Sequence, residues 1–315
     1  MNKLKIIFFG TPDFAVGILN EIVSHNFDVA AVVTVADKPA GRGQQLRFSA
    51  VKEFALAKNL PILQPTNLKD QDFLDDLKSF EANVQVVVAF RMLPQAVWQM
   101  PEYGTFNLHA SLLPDYRGAA PINWAIINGD VMTGVTTFFI DDKIDTGAII
   151  LSKETKISTA ETAGDLHDKL MVLGAETVIE TLKLIQEGNV QTKLQSQEKE
   201  YRTAHKLFKE NCKIDWKKPG QSIYNHVRGL NPYPLAWTNI IDGKNRFSVK
   251  IEQVQFRENV HEMQVGCIKT DKKTISIAVV DGFIIVERLQ LPNKKMMDTS
   301  ALLNGIGFCS NAMAE

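Results

Sequence analysis

Cysteine is scarce in this chain: Cys212, Cys267 and Cys309 are the only three among 315 residues, far apart and odd in number. Such a set builds no disulfide framework and no paired metal-ligand spacing, and it predicts a reducing, cytoplasmic compartment. The six histidines are scattered, with no His-x-x-x-His and no cysteine pair nearby, so no metal site is expected. No apolar run approaches the roughly 20 residues that a bilayer span requires, which argues against a membrane. The opening MNKLKIIFFGTPDFA carries two lysines before a short apolar stretch, as a signal peptide would. Gly10-Thr-Pro-Asp13 interrupts it early and no small-residue cleavage site follows, so it reads as a buried first strand. Internal repeats, low-complexity tracts and a Gly-x-Gly-x-x-Gly fingerprint are also lacking. A nicotinamide-binding oxidoreductase would rest on Phe9-Gly-Thr-Pro12 alone, which is weak.

What is present describes an ordinary globular chain, 45% apolar and 23% charged, of a length that suggests two domains. Net charge is −1 but unevenly spread. From Lys206 onward there are 16 Lys and Arg against 11 Asp and Glu, and before it 19 against 25. A weakly basic last third suits a polyanionic partner, although an excess of this size also falls within ordinary scatter.

The first half alternates apolar strands (residues 4–9, 29–35, 61–63, 84–90, 105–109) with amphipathic helices (from Pro12, then 49–58, 68–80 and 94–99). This rhythm predicts a doubly wound, mostly parallel, Rossmann-like α/β domain with helices on both faces. A helix at 121–128 and strands at 134–140 and 148–151 follow. Ser158-Thr-Ala-Glu161 reads as a capping box opening a long helix that ends at Gly188. Residues 190–205 are polar and read as a linker after a first domain spanning 1–189. In residues 206–315, a helix at 221–227 precedes five short strands, at 235–241, 246–256, 263–268, 275–280 and 283–289. Asp242-Gly and Asp281-Gly are hairpin dipeptides, and the set predicts a small β-barrel of the oligonucleotide-binding type.

Chemistry concentrates between Gly104 and Pro121. On a strand, Asn107 and His109 share one face while Phe106 and Leu108 share the other. Polar groups in core slots must be paired or used, and at the carboxyl end of a sheet strand use is favoured. The alternative, that both side chains tie down the adjacent loop, stays open on spacing alone. Asp145, in a turn between two apolar strands, is able to hydrogen-bond a nearby imidazole, fix its tautomer and raise its pKa. It is equally an ordinary turn aspartate.

Asn107-x-His109, Ser111-Leu-Leu-Pro114, Tyr116-Arg-Gly118 and Asp145-Thr-Gly147 together resemble the signature of folate-dependent formyltransferases. The resemblance implies Asn107, His109 and Asp145 as the catalytic set. It places Ser111, Leu112, Leu113 and Pro114 in the folate site, with Phe90 and Arg91 beside the pterin. It also implies 10-formyltetrahydrofolate as cosubstrate, and no metal. Within that family, three segments are similar to the members that act on initiator methionyl-tRNA: Phe9-Gly-Thr-Pro-Asp-Phe-Ala15, Asp37-Lys-Pro-Ala-Gly-Arg-Gly43, and Ile214-Asp-Trp216 with Val227-Arg-Gly-Leu-Asn-Pro-Tyr-Pro234. The implied partner is that tRNA, met by Lys38, Arg42 and Arg47 of the 37–47 loop and by Lys206, Lys209, Lys213, Lys217, Lys218 and Arg228. A monomer is expected. Two departures stand out: Ala89-Phe-Arg91 where the family usually has Ala-Tyr-Gly, and Asn123-Trp124 where a Gln-Arg-like pair is frequent. A sugar-nucleotide N-formyltransferase would share the triad and the folate but not need the 41–43 loop. A non-enzymatic RNA-binding module would not need the triad.

Overall fold

The computed structural model describes residues 3–40, 45–196 and 200–315. The chain divides into two compact units. One comprises Met1–Gly118, Thr133–Thr155 and His167–Thr203, and the other Ala119–Met132, Lys156–Leu166 and Ala204–Glu315. Among the described residues no helix is long and apolar enough to cross a membrane.

The first unit is a seven-stranded sheet in the spatial order Ile149–Lys156, Met132–Phe139, Thr105–His109, Val84–Val88, Lys5–Gly10, Asp28–Val33, Ile62–Leu63. The five strands from Thr105–His109 to Ile62–Leu63 pair in parallel, and Met132–Phe139 joins Thr105–His109 antiparallel. The central strands are almost wholly buried, as expected of a sheet covered on both faces. One face packs Ile7, Phe9, Ala31, Val33 and Val87 against Phe73, Leu77, Leu93 and Val97. On the other, the helix Ala163–Glu187 lies over Leu108, where a side chain at Gly174 would meet Leu108 Cδ2 at 2.7 Å. That close approach requires glycine despite its cost in a helix interior.

The long helix starts later than its sequence suggests, because two boxes follow one another. Glu161 Oε2 accepts from Ser158 N–H at 2.8 Å. Thr162 and Asp165 then exchange reciprocal bonds, Thr162 N–H to Asp165 Oδ2 at 2.9 Å and Asp165 N–H to Thr162 Oγ1 at 3.2 Å. The second pair directly precedes and opens the helix. The segment 190–196 does not simply leave the unit. Ile149 and Lys193 exchange backbone bonds at 2.8 and 2.9 Å, which lays it along the sheet edge.

In the second unit an antiparallel sheet runs Ile268–Thr270, Ile275–Val279, Gly282–Gln290, Asn245–Glu258, Ala236–Asp242, Met313–Ala314. Its ends meet: Ile268 N–H bonds Ala312 O at 2.9 Å, and Ala314 N–H bonds Gly266 O at 2.8 Å. A nearly closed barrel results, and closure removes the exposed edges. The strand expected at 263–268 begins only at Ile268, because Gly266, at φ 87°, turns the chain towards the last strand. Asp242-Gly243 makes the expected hairpin, with Gly243 at φ 60°. The helix Gly220–Gly229 packs on the barrel core through Ile223 and Val227. The helix Pro121–Ile127 joins this unit through Asn123, whose amide donates to Gly229 O at 2.7 Å.

His226, on the Gly220–Gly229 helix, has its Nε2 buried without a hydrogen-bond partner. Burial holds its pKa below the ordinary 6.5, against a hydrogen bond to the Cys212 backbone that pulls the other way. The folded state therefore prefers neutral imidazole, and the unfolded state binds the extra proton as pH falls. Stability is full above the ordinary value of 6.5 and falls as pH drops from there through the folded value. Urea denaturation at stepped pH should show that loss in the parent and a flatter profile in His226→Asn, whose amide replaces Nδ1 only. Parallel profiles would refute it.

Candidate active site

Strand pairing places Asn107 opposite Phe138 and His109 opposite Thr136, both at the carboxyl end of an inner strand. With Leu108 turned under the long helix, Asn107 and His109 look out from the other face. Asn107 is half-buried. The His109 side chain is only 8% exposed and that of Asp145 14%.

The His109 ring is held from both sides. Nε2 lies 2.8 Å from the carbonyl oxygen of Tyr116. A carbonyl only accepts, so Nε2 carries a proton and donates. Nδ1 lies 3.8 Å from Asp145 Oδ2, beyond hydrogen-bond reach. The tautomer is therefore set by Tyr116 rather than by Asp145, and Nδ1 is the nitrogen left for chemistry. Asp145 Oδ2 itself accepts the Gly118 N–H at 2.9 Å. Tyr116 and Asp145 both sit in the left-handed backbone region, at φ 61° and 55°. Each such residue costs about 1 kcal/mol and persists only where its surroundings over-determine it.

Buried hydrogen bonds provide those surroundings. Ser111 is fully buried, its Oγ donating to Asp115 O at 2.7 Å. Thr136 Oγ1 donates to Ser111 O at 2.7 Å and accepts the Leu113 N–H at 3.2 Å. Ser111 and Leu113 therefore support the loop from within, while Leu112 and Pro114 are half-buried. Gln195 was not legible as a site residue. It is nearly buried, its amide donating to Asp145 O at 3.0 Å and Gly147 O at 2.9 Å. A lone glutamine in a polar stretch carries no sequence signal that would single it out.

Phe90 packs edge-on against Phe9 at 5.6 Å. Arg91 is exposed and its guanidinium donates to Thr66 O at 3.0 Å and Pro65 O at 2.5 Å. Arg91 lines a groove of about 570 Å³ together with Thr66, Asn67, Lys69, Met92 and Leu93, among others. The size is that of a small-molecule site, and the lining mixes apolar surface with two cations. It follows two parallel strands at their carboxyl ends, where such sheets bind ligands.

The cations behave differently from one another. Arg42, with Gly41 and Gly43, lies outside the described residues. Lys38 and Arg47 pair across a short hairpin of Lys38–Ala40 with Gln45–Arg47. At its foot Lys52 pairs with Asp37, and Gln64 donates to Asp37 Oδ1 at 2.8 Å. Hydrogen bonds from Lys52 and then Gln64 hold the Asp37 carboxyl below its usual range. Lys206, Lys209, Lys213, Lys217 and Lys218 are exposed, with Lys209 and Lys213 at 5.2 and 5.8 Å over the Trp237 ring. Arg228 departs from this group. It is 8% exposed and binds Asn225 Oδ1 at 2.9 Å, Glu161 O at 2.7 Å and Ser158 O at 3.3 Å. Its charge is spent inside the second unit, not offered to a ligand. Among the described residues no three His, Cys, Asp or Glu side chains group as metal ligands.

A family model described as formyl transferase matches residues 3–182, and one described as formyl transferase, C-terminal domain, matches residues 206–307. A methionyl-tRNA formyltransferase of Flavobacterium johnsoniae is 60% identical over 312 residues, 99% of each chain. One of Bacteroides thetaiotaomicron is 48% identical over 307 residues, 96% of this chain and 95% of that one. Among solved structures, the sugar 3N-formyl transferase WlaRD superposes with a TM-score of 0.65 at 23% identity, covering 94% of this chain and all of that one. HypX from Aquifex aeolicus, in complex with tetrahydrofolic acid, gives 0.64 at 16% identity, over 96% of this chain and 47% of that one. Likeness at such low identity speaks for the fold.

Thr136→Val keeps the volume but leaves the Ser111 carbonyl and the Leu113 N–H unpaired in the interior. A loss of about 2 kcal/mol is expected, read from the urea midpoint at unchanged slope. A shift below about 0.5 kcal/mol would remove Thr136 from the loop's support.

Proposed function

The chain belongs to the formyl transferase family, and on that premise we propose that it transfers the formyl group of 10-formyltetrahydrofolate to the α-amino group of methionine on initiator tRNA, making formylmethionyl-tRNA for translation initiation. The observation that carries the reading is the 3.8 Å approach of His109 Nδ1 and Asp145 on the strand face that also bears Asn107. The full-length likeness to methionyl-tRNA formyltransferases supports the choice of acceptor.

The residues fit the cosubstrate. The groove at Thr66–Lys69 and Arg91–Leu93 offers an apolar floor for an aromatic body and two cations for carboxylates. Phe90, Arg91 and the Ser111–Pro114 loop are the groups proposed to hold it, with Ser111 and Leu113 acting from behind the surface. 10-Formyltetrahydrofolate supplies an activated formyl unit. As the neutral amine attacks, negative charge develops on the formyl oxygen. The Asn107 amide and an Nδ1-protonated His109 donate to that charge, in a place where water is largely excluded. Tyr116 O keeps the ring from turning, and Asp145 takes the proton lost by the attacking amine; collapse of the tetrahedral adduct then breaks the bond between the formyl carbon and N10, and N10 leaves as tetrahydrofolate carrying a proton.

Residues 1–189 are proposed as the catalytic part, 190–205 as the connection, and 206–315 as the part that grips tRNA, a division in line with the two family models. Lys38, Arg42 and Arg47 are assigned to the acceptor end. Lys206, Lys209, Lys213, Lys217 and Lys218 are assigned to phosphates of the tRNA body. A cytoplasmic monomer is proposed, in keeping with three free thiols.

The test is formylation of Met-tRNA, initiator against elongator, with an amino-sugar nucleotide as competing acceptor. Product on the sugar alone would select the sugar-nucleotide reading. Asn107→Ala and His109→Ala should each lower kcat by roughly 10²–10³-fold with modest change in either KM, and near-normal turnover in both would reject the assignment. The affinity for tRNA should fall steeply with salt, with a shallower slope once Lys209 and Lys213 are both changed to Ala. An unchanged slope would take those lysines out of the interface.

A further inference from the structure

Gln195 stands outside every motif, yet its side chain makes four hydrogen bonds beside the active site. Its segment is carried back to the sheet edge by the Ile149–Lys193 backbone pair. There the side-chain amide meets four partners. Nε2 donates to Asp145 O at 3.0 Å and to Gly147 O at 2.9 Å. Oε1 accepts from Arg117 Nε at 3.1 Å and Arg117 Nη2 at 2.6 Å. Two donors and two lone pairs are all that a primary amide has. The orientation is therefore unique, since a flipped amide would turn its NH₂ onto a guanidinium and its oxygen onto two carbonyls.

These bonds close a ring. Arg117 grips Gln195, Gln195 grips the Asp145 backbone, and Asp145 Oδ2 accepts the N–H of Gly118, the residue after Arg117. Tyr116, the residue before Arg117, holds His109 Nε2. One short stretch, 116–118, thus supports the imidazole directly and the carboxylate twice, once through Gly118 and once through Gln195. Asp145 is in a left-handed backbone conformation at φ 55°, one that aspartate tolerates better than most residues. We propose that Gln195 is a positioning residue for formyl transfer, fixing the Asp145 carboxylate against His109. The proposal rests on the reading of Asn107, His109 and Asp145 given above. Gln195 itself touches no reacting atom.

A carboxylate displaced by about 1 Å costs on the order of 10²-fold in rate. Gln195→Ala is expected to lower kcat by roughly 10- to 100-fold, with KM for Met-tRNA and for 10-formyltetrahydrofolate each within about threefold. Gln195→Glu keeps shape and the Arg117 acceptor but loses both donors when ionised. It should be as slow as the alanine variant at neutral pH. Its activity relative to the parent should rise as pH is lowered and protonation restores one donor, a recovery that Gln195→Ala cannot show. Arg117→Met should lower kcat in the same sense, and the double variant with Gln195→Ala should be no worse than the weaker single variant, since both break one ring. Thermal melts of each variant supply the folded fraction for the comparison.

Parental kcat in folded Gln195→Ala overturns the proposal. So does a loss that falls wholly in KM, or a Gln195→Glu profile parallel to that of the parent. If Arg117→Met instead raises KM and its effect multiplies with that of Gln195→Ala, Arg117 binds substrate and the ring has no catalytic meaning. A parent enzyme that formylates no Met-tRNA brings down the functional reading first, which separates the two failures.

Discussion

The first unit depends on one arrangement, an imidazole taken almost out of water with a carbonyl on one nitrogen and a carboxylate facing the other. A buried polar ring is costly unless it is satisfied, and His109 meets that cost with the Tyr116 backbone. This choice has consequences on both sides. Tyr116 must adopt a left-handed conformation to present its carbonyl, and the loop before it must be firm. Ser111 and Thr136 supply that firmness through bonds to main-chain groups. Asp145 must approach Nδ1 without capturing it, and it is kept 3.8 Å away by an engagement with Gly118. The gap leaves Nδ1 free to act on a third group.

The sheet makes this possible by fixing direction. Leu108 is pinned under the Ala163–Glu187 helix, where Gly174 allows contact with its side chain. Thr137 and Thr181 share a buried hydroxyl pair at 2.8 Å on the same side. Because strand side chains alternate, Asn107 and His109 have no option but the opposite face. An apolar contact on one side of the strand thereby aims two polar groups on the other. The groove at Arg91 and Lys69 opens after Ile62–Leu63 and Val84–Val88, two non-adjacent strands of the same sheet, at the carboxyl end that also bears Asn107 and His109.

Much of this was legible in advance, for local reasons. Element types follow from periodicities of 2 and 3.6 residues, and the parallel sheet follows from alternation of the two. Asn107 and His109 were recognisable because a polar pair two residues apart in an apolar strand is itself local information. Asp145 stood out only as a turn aspartate between two apolar strands, and its place in the catalytic set, like the Ser-Leu-Leu-Pro segment, came from resemblance to a known family. The late start of the long helix was missed because Ser158-x-x-Glu161 and Thr162-x-x-Asp165 are both valid boxes, and only packing chooses between them. Arg228 looked like one more cation in a basic third, and nothing along the chain marks it as buried.

The amino-acid sequence by itself determined the order of strands and helices, the face that Asn107 and His109 share, and the class of chemistry their types allow. Only the tertiary structure decided which atoms meet. It brought Gln195 back over fifty positions to Asp145, gave the His109 ring its tautomer through a main-chain carbonyl, and consumed Arg228 in the interior. The physical reason is that side-chain pattern is written residue by residue, whereas a backbone carbonyl or amide has no identity in the sequence. Its availability as a partner depends on whether the folded chain has already spent it elsewhere.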